Sequence, residues 1–383
     1  MSQFIYLDNH ATTPCDPRVV KAMAPFFTNY FGNSSSSHHF GYEAANAVQR
    51  AREEVALLLN GQAEEIIFTS GATESNNLAL IGAAQRHRKI GGKRNRIVTS
   101  TIEHKSILAP CGYLHDMGWE VVYVPVDHQG HVIWEELEST IDENTLLVSI
   151  QAANSEIGTI QPIKKISELA HKFGAIMHCD ASQLIGKLPV NVLDMGVDLL
   201  SLSGHKVYGP KGVGALYLRG GAKTLPLSPL IYGGQQESGL RSGTLPVPQI
   251  VGLGKACQIA SESLTKETAT MTEMRDYLES QLTIKIEKIW INGAMQSRLP
   301  NNSSITFSDV EAEELLANLP EIALSTGSAC ESGSIEPSQV LLNIGLTRDD
   351  AYSTIRFGLG RFTTKDDIER TIHLLTDAYY NIT

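Results

Sequence analysis

The chain of 383 residues is long enough for two domains, or for one large domain with a smaller one beside it. Hydrophobic residues make up 42% and charged residues 19%, as in ordinary globular proteins, and the formal net charge of -11 argues against direct nucleic-acid binding. No apolar run approaches the ~20 residues of a membrane-spanning helix, and the first residues lack the basic segment of a secretory signal, so no membrane association is expected. The five cysteines are scattered and form no close pair, which argues against a metal site and favours a reducing, cytoplasmic location.

From about residue 60 onward, short apolar runs alternate with longer amphipathic segments, as repeated strand and helix units require. The apolar runs predict one mostly parallel sheet of seven strands, at residues 66–69, 97–100, 121–124, 146–150, 176–178, 199–202 and 215–218. Helices are predicted at residues 44–59, 75–88 and 165–173, among others. The fold class is therefore α/β.

The pattern changes after Pro248. A long helical pattern from residue 250 to about residue 279 precedes short strands near residues 289–292 and 304–306, and a last helical pattern covers residues 365–380. We interpret this part, together with the N-terminal arm, as a smaller α+β domain. The expected division is 16–255 for the large domain and 1–15 with 256–383 for the small domain.

A single lysine, Lys206, stands between a predicted buried strand and a turn rich in glycine and proline. This placement suits a lysine whose amine forms a Schiff base with a cofactor aldehyde, because the strand gives it a rigid base and the small residues let the cofactor approach. A surface lysine in a turn has the same short pattern, so the rest of the chain must decide.

Polar residues follow five of the predicted strands, and the carboxyl ends of parallel strands meet at one edge of a sheet. The segment at residues 70–76 begins a helix and suits a phosphate. With the acid Asp180, the imidazole of His104 and Lys206, it fits pyridoxal 5'-phosphate, whose protonated pyridine nitrogen needs a nearby carboxylate. Each residue also has a simpler interpretation, Asp180 as a helix N-cap and His104 as a loop histidine.

Eight short segments carry these and other polar residues in a distinctive order: 6–14 (YLDNHATTP), 69–77 (TSGATESNN), 103–106 (EHKS), 178–183 (HCDASQ), 203–206 (SGHK), 240–244 (LRSGT), 327–330 (GSAC) and 355–361 (IRFGLGR). Together they resemble the NifS/IscS group of cysteine desulfurases, within the class V branch of the fold-type-I pyridoxal-phosphate enzymes. The resemblance extends over essentially the whole chain.

The resemblance implies that pyridoxal 5'-phosphate is held by residues from these segments. Lys206 would form the Schiff base, Asp180 would face the pyridine nitrogen, and Gln183 would face the phenolic oxygen. His104 would stack on the ring and take part in proton transfer. The implied phosphate contacts are Ala72, Thr73, Ser203, His205 and, from the partner subunit of a homodimer, Thr244. The implied contacts to the substrate carboxylate are Asn154 and Arg356.

Cys330 decides which reaction is expected. The small residues on both sides of it are typical of a moving catalytic loop, at about residues 325–337, and exposed free cysteines are otherwise avoided, which favours a nucleophile over an inert small residue. The resemblance implies that Cys330 attacks the sulfur of L-cysteine, releases L-alanine and carries a persulfide that passes to an acceptor protein. Glu331, directly after it, places a carboxylate where many relatives have a small residue and disfavours the thiolate.

The acceptor stays open at this stage. The chain ends shortly after its last predicted helix, without the acidic and aromatic tail by which housekeeping members dock an iron–sulfur scaffold, so iron–sulfur cluster assembly, tRNA thiolation and DNA phosphorothioation are all considered. A different class V enzyme, such as an aminotransferase or a selenocysteine lyase, would keep Lys206 and Asp180 without needing Cys330. A non-catalytic sulfur-transfer protein would have no reason to keep those two residues and His104 together.

Overall fold

The computed structural model describes residues 4–326 and 336–383. Its largest sheet follows a short N-terminal strand, β1 (Ile5–Tyr6), and consists of β2 (Ile66–Thr69), β3 (Arg96–Ser100), β4 (Glu120–Val124), β5 (Thr145–Ser149), β6 (Ile176–Asp180), β7 (Leu199–Ser203) and β8 (Gly214–Leu218). The strand order is β2-β8-β7-β6-β5-β3-β4; β8 is antiparallel to both neighbours and the other adjacent pairs are parallel. The predicted seven-stranded, mostly parallel sheet is confirmed.

The burial of these strands explains why the sequence predicts them well. Strands β2, β5, β7 and β8 are buried at every residue, so both faces of the sheet are covered and each strand appears in the sequence as a continuous apolar run. Strand β4 lies at the edge of the sheet and is partly exposed. All seven predicted strands match the observed ones to within two residues at either end.

In the chain, helices come before, between and after the strands of this sheet: α1 (Pro17–Met23), α2 (Pro25–Thr28), α3 (His39–Leu59), α4 (Ala72–Lys89), α5 (Lys105–Asp116), α6 (Trp134–Thr140), α7 (Ile163–Lys172), α8 (Val192–Met195) and α9 (Gly221–Thr224). Helix α3 begins five residues before the predicted start at residue 44. Its N-cap is His38, whose ring accepts a hydrogen bond from the backbone N–H of Gly41. Serine, threonine, aspartate and asparagine fill that position more often, so little in the sequence indicates that the helix starts here.

The 39-residue helix α10 (Val247–Lys285) connects two hydrophobic cores. Ile250 and Leu253 belong to a core that includes residues of the large sheet, whereas Leu278 and Leu282 belong to a second core formed with the C-terminal elements. Where α10 crosses α3, a Cβ on Gly254 would lie only 2.6 Å from the Cα of Ala51, so the close approach of the two helices requires glycine there. None of the helices in the described ranges is long and apolar enough to cross a bilayer.

The C-terminal part contains β9 (Ile289–Ile291), β10 (Asn302–Phe307), α11 (Ala312–Ala317), β11 (Ile322–Ala323), β12 (Ser325–Thr326), α12 (Gln339–Asn343), α13 (Arg348–Tyr352), β13 (Thr354–Gly358) and α14 (Lys365–Ile382). Four strands form an antiparallel sheet in the order β12-β13-β10-β9, and β1 pairs in parallel with β11. The N-terminal arm thus joins this part, and Ile5 and Leu7 lie in its core. The division at residues 15/16 and 255/256 stays a prediction; α10 passes the second position as one continuous helix.

Candidate active site

The carboxyl ends of five strands of the large sheet border a cavity of about 530 Å³. The N-terminal arm and strand β13 also contribute to its lining. Residues from after β2, β3, β5, β6 and β7 line it, together with the arm, the turn after β7 and β13: Ser70 to Thr73, His104, Ser106, Gln151, Ala153, Ser155, Asp180, Ser182, Gln183, Ser203, His205, Lys206, His10 to Thr12, Lys211, Gly212 and Arg356. The five strand ends singled out in the sequence therefore meet at one place, as the parallel topology requires.

Lys206 ends a 3-10 turn that follows β7 directly. Its Nζ donates hydrogen bonds to the backbone carbonyls of His10 and Ala11, the latter at 2.9 Å, and so faces the cavity beside the N-terminal arm. The carbonyl oxygen of Lys206 accepts a hydrogen bond from Nζ of the buried Lys187 at 2.9 Å. Burial, with Arg361 nearby, lowers the pKa of Lys187 to about 7. A second lysine therefore holds the backbone of the first.

Asp180, at the end of β6, is buried and surrounded by donors. Its Oδ1 accepts from the backbone N–H of Ser182 at 2.9 Å and from the Ser182 hydroxyl at 2.6 Å. Its Oδ2 accepts from Nδ2 of Asn76 at 2.7 Å. Three donors facing two oxygens suit a carboxylate, which is an acceptor only. Asp180 thus lines the cavity with its carboxyl group held in place by these donors.

His104 caps helix α5 and is connected to Asp180 through two side chains. Its Nδ1 accepts from the backbone N–H of Ser106 at 3.1 Å and lies 2.7 Å from the Ser106 hydroxyl, which in turn accepts from Asn76 at 2.8 Å. Burial, with the nearby Lys206 and Lys105, lowers the pKa of His104. The ring is therefore neutral at pH 7, and because Nδ1 is an acceptor, the assigned tautomer carries its proton on Nε2.

The predicted phosphate contacts surround the start of helix α4. Ala72 and Thr73 form its first turn, and Ser203 lies close to it, since a Cβ on Gly71 would be 3.7 Å from the Ser203 Oγ. The Nδ1 of His205 lies 3.1 Å from the Thr12 hydroxyl, and burial together with Lys206 and Lys211 lowers its pKa to about 4. A neutral ring that accepts from Thr12 leaves Nε2–H for an anion, and the helix N-terminus adds backbone N–H groups.

Of the two residues predicted for the substrate carboxylate, the structure brings only Arg356 to the cavity. It extends from β13, and its Nη2 donates to Asp8 Oδ1 at 2.8 Å. Asn154 is buried but does not line the cavity; its amide donates to the carbonyl of Ile102, and its Oδ1 accepts from the backbone of Glu156 and Ile157. The side chain of Asn154 thus shapes its own turn, and its substrate contact stays a prediction.

Two other predicted residues are not brought to the cavity by the described chain. Thr244 is exposed and is not part of the lining, and its contact to a partner's phosphate site stays a prediction. Cys330 lies outside the described residues. Gln183 does line the cavity, and its amide contacts His10.

The sequence interpretation did not single out several residues that support this site. Asn76 and Ser106 connect Asp180 with His104, and the buried Glu103 directly precedes His104 in the chain. Burial raises the pKa of Glu103 to about 8, and its oxygens accept from the Ser100 hydroxyl and the backbone N–H of Gln151. Two signals were available, since Asn76, Glu103 and Ser106 follow predicted strands and also lie in the segments 69–77 and 103–106 that carry the family resemblance.

The aminotransferase class-V family model matches residues 5–371. The chain belongs to this family. A class V relative from Rickettsia bellii named cysteine desulfurase IscS is 46% identical over 372 residues, which cover 97% of this chain and 90% of the relative. A solved NifS-like protein superposes with a TM-score of 0.92 at 39% identity and covers 99% of this chain and 100% of its own. The structure of SspA in complex with cysteine has a TM-score of 0.82 at 38% identity, with 94% and 100% covered.

Class V enzymes of this group use pyridoxal 5'-phosphate, and the residues at the cavity fit that cofactor. An amine, a carboxylate held by three donors and an 18-residue helix with small residues at its start face one space, and these match an aldehyde, a pyridine nitrogen and a phosphate. Asn76 Oδ1 is buried and has no hydrogen-bond partner among the described residues, although its Nδ2 makes two bonds. The predicted family, fold and cofactor are thereby confirmed.

Proposed function

We propose that this chain is a pyridoxal-phosphate-dependent cysteine desulfurase, a sulfurtransferase that converts L-cysteine to L-alanine and holds the sulfur as a persulfide on Cys330. The convergence of Lys206, Asp180 and Arg356 at one cavity carries the proposal, in a chain whose relatives are named cysteine desulfurases. The similarity to SspA, whose structure was solved in complex with cysteine, supports L-cysteine as the substrate.

The cofactor would be held at both ends of the cavity. Lys206 would bind its aldehyde carbon, Asp180 would keep the proton on its pyridine nitrogen, and Gln183 would face its phenolic oxygen. His104 would stack on the ring, and the phosphate would be bound by Ala72, Thr73, Ser203 and His205. When bound, the cofactor withdraws electrons from the substrate α-carbon, which makes the α-proton acidic and leaves the substrate sulfur open to attack by a thiolate.

The side chains of this chain would then position the substrate and move its protons. The guanidinium of Arg356 would bind the substrate carboxylate; Asp8 fixes its orientation, since the ion pair is 2.8 Å long and the arginine side chain is only 5% exposed. Lys206 Nζ would accept the α-proton. His104 lines the cavity as a neutral imidazole whose single proton is on Nε2, and it would exchange a proton with the substrate there.

Cys330 would take the sulfur. Its thiolate bonds to the substrate sulfur while the carbon–sulfur bond breaks with its electron pair left on carbon, and that carbon takes a proton to become the methyl group of alanine. The position of Cys330 in the chain supports this role. Strand β12 ends four residues earlier at Thr326, and it pairs with β13 so that Ser325 lies opposite Arg356.

Incubation of the purified protein with L-cysteine tests the proposal. We expect alanine to form and the peptide containing Cys330 to gain the mass of one sulfur. Cys330→Ala should abolish both, whereas Cys15→Ala, a matched change at a half-buried cysteine, should leave both unchanged. If no alanine forms and Cys330 stays unmodified while the cofactor is bound, the proposal fails in favour of another class V enzyme, an aminotransferase or a lyase. A Cys330→Ala variant that still transfers the substrate amino group to a keto acid would indicate the aminotransferase.

We also propose a homodimer in which Thr244 contributes to the partner's phosphate site. The exposure of Thr244 supports this arrangement, as does a set of exposed aromatic side chains that a second copy would cover: Phe27, Tyr30, Phe31, Phe40 and Tyr42, each 45–66% exposed. Sedimentation should show a dimer, and Thr244→Val should weaken cofactor binding in it. A fully active monomer would contradict the proposal.

The persulfide would pass to an acceptor protein in the cytoplasm, a location supported by the scattered cysteines. Candidate acceptors belong to iron–sulfur cluster assembly, tRNA thiolation or DNA phosphorothioation. Transfer of labelled sulfur from the Cys330 persulfide to purified acceptors of each kind would identify it, and transfer to none of them would contradict a desulfurase that serves these systems.

A further inference from the structure

His10 lies where the N-terminal arm meets the cavity, and the residue is 1% exposed. Its Nδ1 is 3.0 Å from Gln183 Oε1, and its Nε2 is 3.1 Å from the backbone oxygen of Asn301. Gln183 reaches back to the same residue, because its Nε2 donates to the carbonyl of His10 at 3.1 Å. His10 and Gln183 both line the cavity beside Lys206, whose Nζ donates to the same His10 carbonyl.

The hydrogen atoms available for these contacts are too few to satisfy all of them. As placed, both atoms facing the ring nitrogens are acceptors, whereas a neutral imidazole has a single N–H. Burial, with the charges of Arg356, Lys206 and Lys187, lowers the pKa of His10 to about 3, so the ring is neutral at working pH. Only one of Asn301 O and Gln183 Oε1 can receive a proton from it at a time.

Gln183 is the partner that can respond. The backbone oxygen of Asn301 is fixed in a buried segment, whereas a glutamine amide can exchange its oxygen and nitrogen by rotating half a turn. If His10 donates from Nδ1, Gln183 keeps its oxygen on the histidine, and one N–H remains for the cavity. If His10 donates from Nε2, the amide must turn to donate to Nδ1. Its oxygen then takes the place of Gln183 Nε2, on the side of the His10 carbonyl and the cavity, and the 3.1 Å bond to that carbonyl is lost.

We infer that His10 is a positioning residue that sets which end of the Gln183 amide faces the cofactor. This rests on the proposed function, in which Gln183 faces the phenolic oxygen. An N–H there stabilises the ionised oxygen, whereas an amide oxygen repels it. By holding Gln183 Oε1, His10 keeps the N–H directed at the cofactor and thereby keeps the cofactor's own proton affinity low.

Two substitutions separate the contacts of the two ring nitrogens. The side-chain amide of His10→Asn can occupy the position of Nδ1 and keep a donor on Gln183, whereas that of His10→Gln can occupy the position of Nε2 and keep the contact to Asn301 only. The readout is the pH titration of the bound cofactor's absorbance without substrate, which a merely structural role would not move. We expect the wild-type midpoint in His10→Asn and a midpoint about one pH unit higher in His10→Gln.

A second background tests whether His10 acts through Gln183. In Gln183→Leu, we expect the His10→Gln change to produce no further shift of the midpoint, because the amide that His10 orients is gone. An unshifted midpoint in His10→Gln, or an equal shift with and without Gln183, would overturn the inference while leaving the proposed function intact. A wild-type protein that binds pyridoxal 5'-phosphate without any Lys206-dependent absorbance would overturn both.

Discussion

Replacing Asp180 with asparagine should remove the charge beside the pyridine nitrogen while leaving the fold almost unchanged. The retained oxygen still accepts from the backbone and hydroxyl of Ser182. The new NH₂ group would face the NH₂ of Asn76, now 2.7 Å from Oδ2. Asn76 Oδ1 is buried and lacks a partner in the described chain, so the Asn76 amide can rotate and accept from the new group.

The structure gives the size of each effect. Rotation of Asn76 breaks its 2.8 Å bond to Ser106, at a cost of about 1 kcal/mol, which lowers the Tm of a 383-residue chain by only about 1 °C. The lost carboxylate is a preorganised group beside the reacting system, and its removal should reduce kcat for alanine formation by roughly 10²–10³. Activity and stability should therefore respond very differently.

Alanine formation, cofactor absorbance and thermal unfolding should be measured on Asp180→Asn and on the control Asp127→Asn. Asp127 accepts from the backbone of Gln129 and His131 in a turn away from the cavity, so its variant should match the wild type in rate. A rate for Asp180→Asn within roughly threefold of the wild type, with cofactor bound, would refute the catalytic role. A fall in Tm of more than about 5 °C would show that the carboxylate mainly supports the fold.

Three further predictions concern stability. The pKa of Glu103 is about 8 in the folded protein, against 4.5 in the unfolded chain, so the contribution of Glu103 to the unfolding free energy falls as pH rises from 4.5 to 8. Glu103→Gln should remove this fall in denaturant titrations. A pH profile of stability that is the same in Glu103→Gln and the wild type would contradict the prediction. Lys187 has a pKa of about 7 in the folded protein in place of 10.5, so it binds its proton more weakly when folded. The free energy of unfolding should therefore rise with pH between 7 and 10.5, by up to about 1.4 kcal/mol per pH unit. Lys187→Met should lose that rise, whereas Lys365→Met, a change at an exposed lysine, should keep it. Arg361 pairs with Asp16 at 2.9 Å and with Glu267 at 2.7 Å. Arg361→Met should therefore lower the free energy of unfolding by about 3–5 kcal/mol and the Tm by roughly 5 °C. An unchanged Tm in a calorimetric scan would mean that the two carboxylates find other partners.

The sequence was sufficient for the large sheet and for the set of residues at its edge. Strands buried on both faces appear as continuous apolar runs, and parallel strands bring their carboxyl ends together, so Asp180, His104 and Lys206 could be assigned to one site without coordinates. The second sheet was predicted less completely. Its strand β13 carries Arg356 and pairs with β10, more than 40 residues earlier in the chain, a pairing that local patterns do not encode.

Contacts between distant segments were decided only by the tertiary structure. His10 and Gln183 are 173 residues apart, and Asp8 and Arg356 are 348 apart, yet each pair meets because the N-terminal arm packs between the large sheet and β13. Within the part of the chain that forms the large sheet, the Asn154 amide donates to the carbonyl of Ile102, 52 residues earlier, and Lys187 donates to the carbonyl of Lys206. Residue identity and spacing predict which groups reach the edge of the sheet. The direction in which each group points depends on the donors and acceptors that folding brings beside it, and those come from segments far away in the sequence.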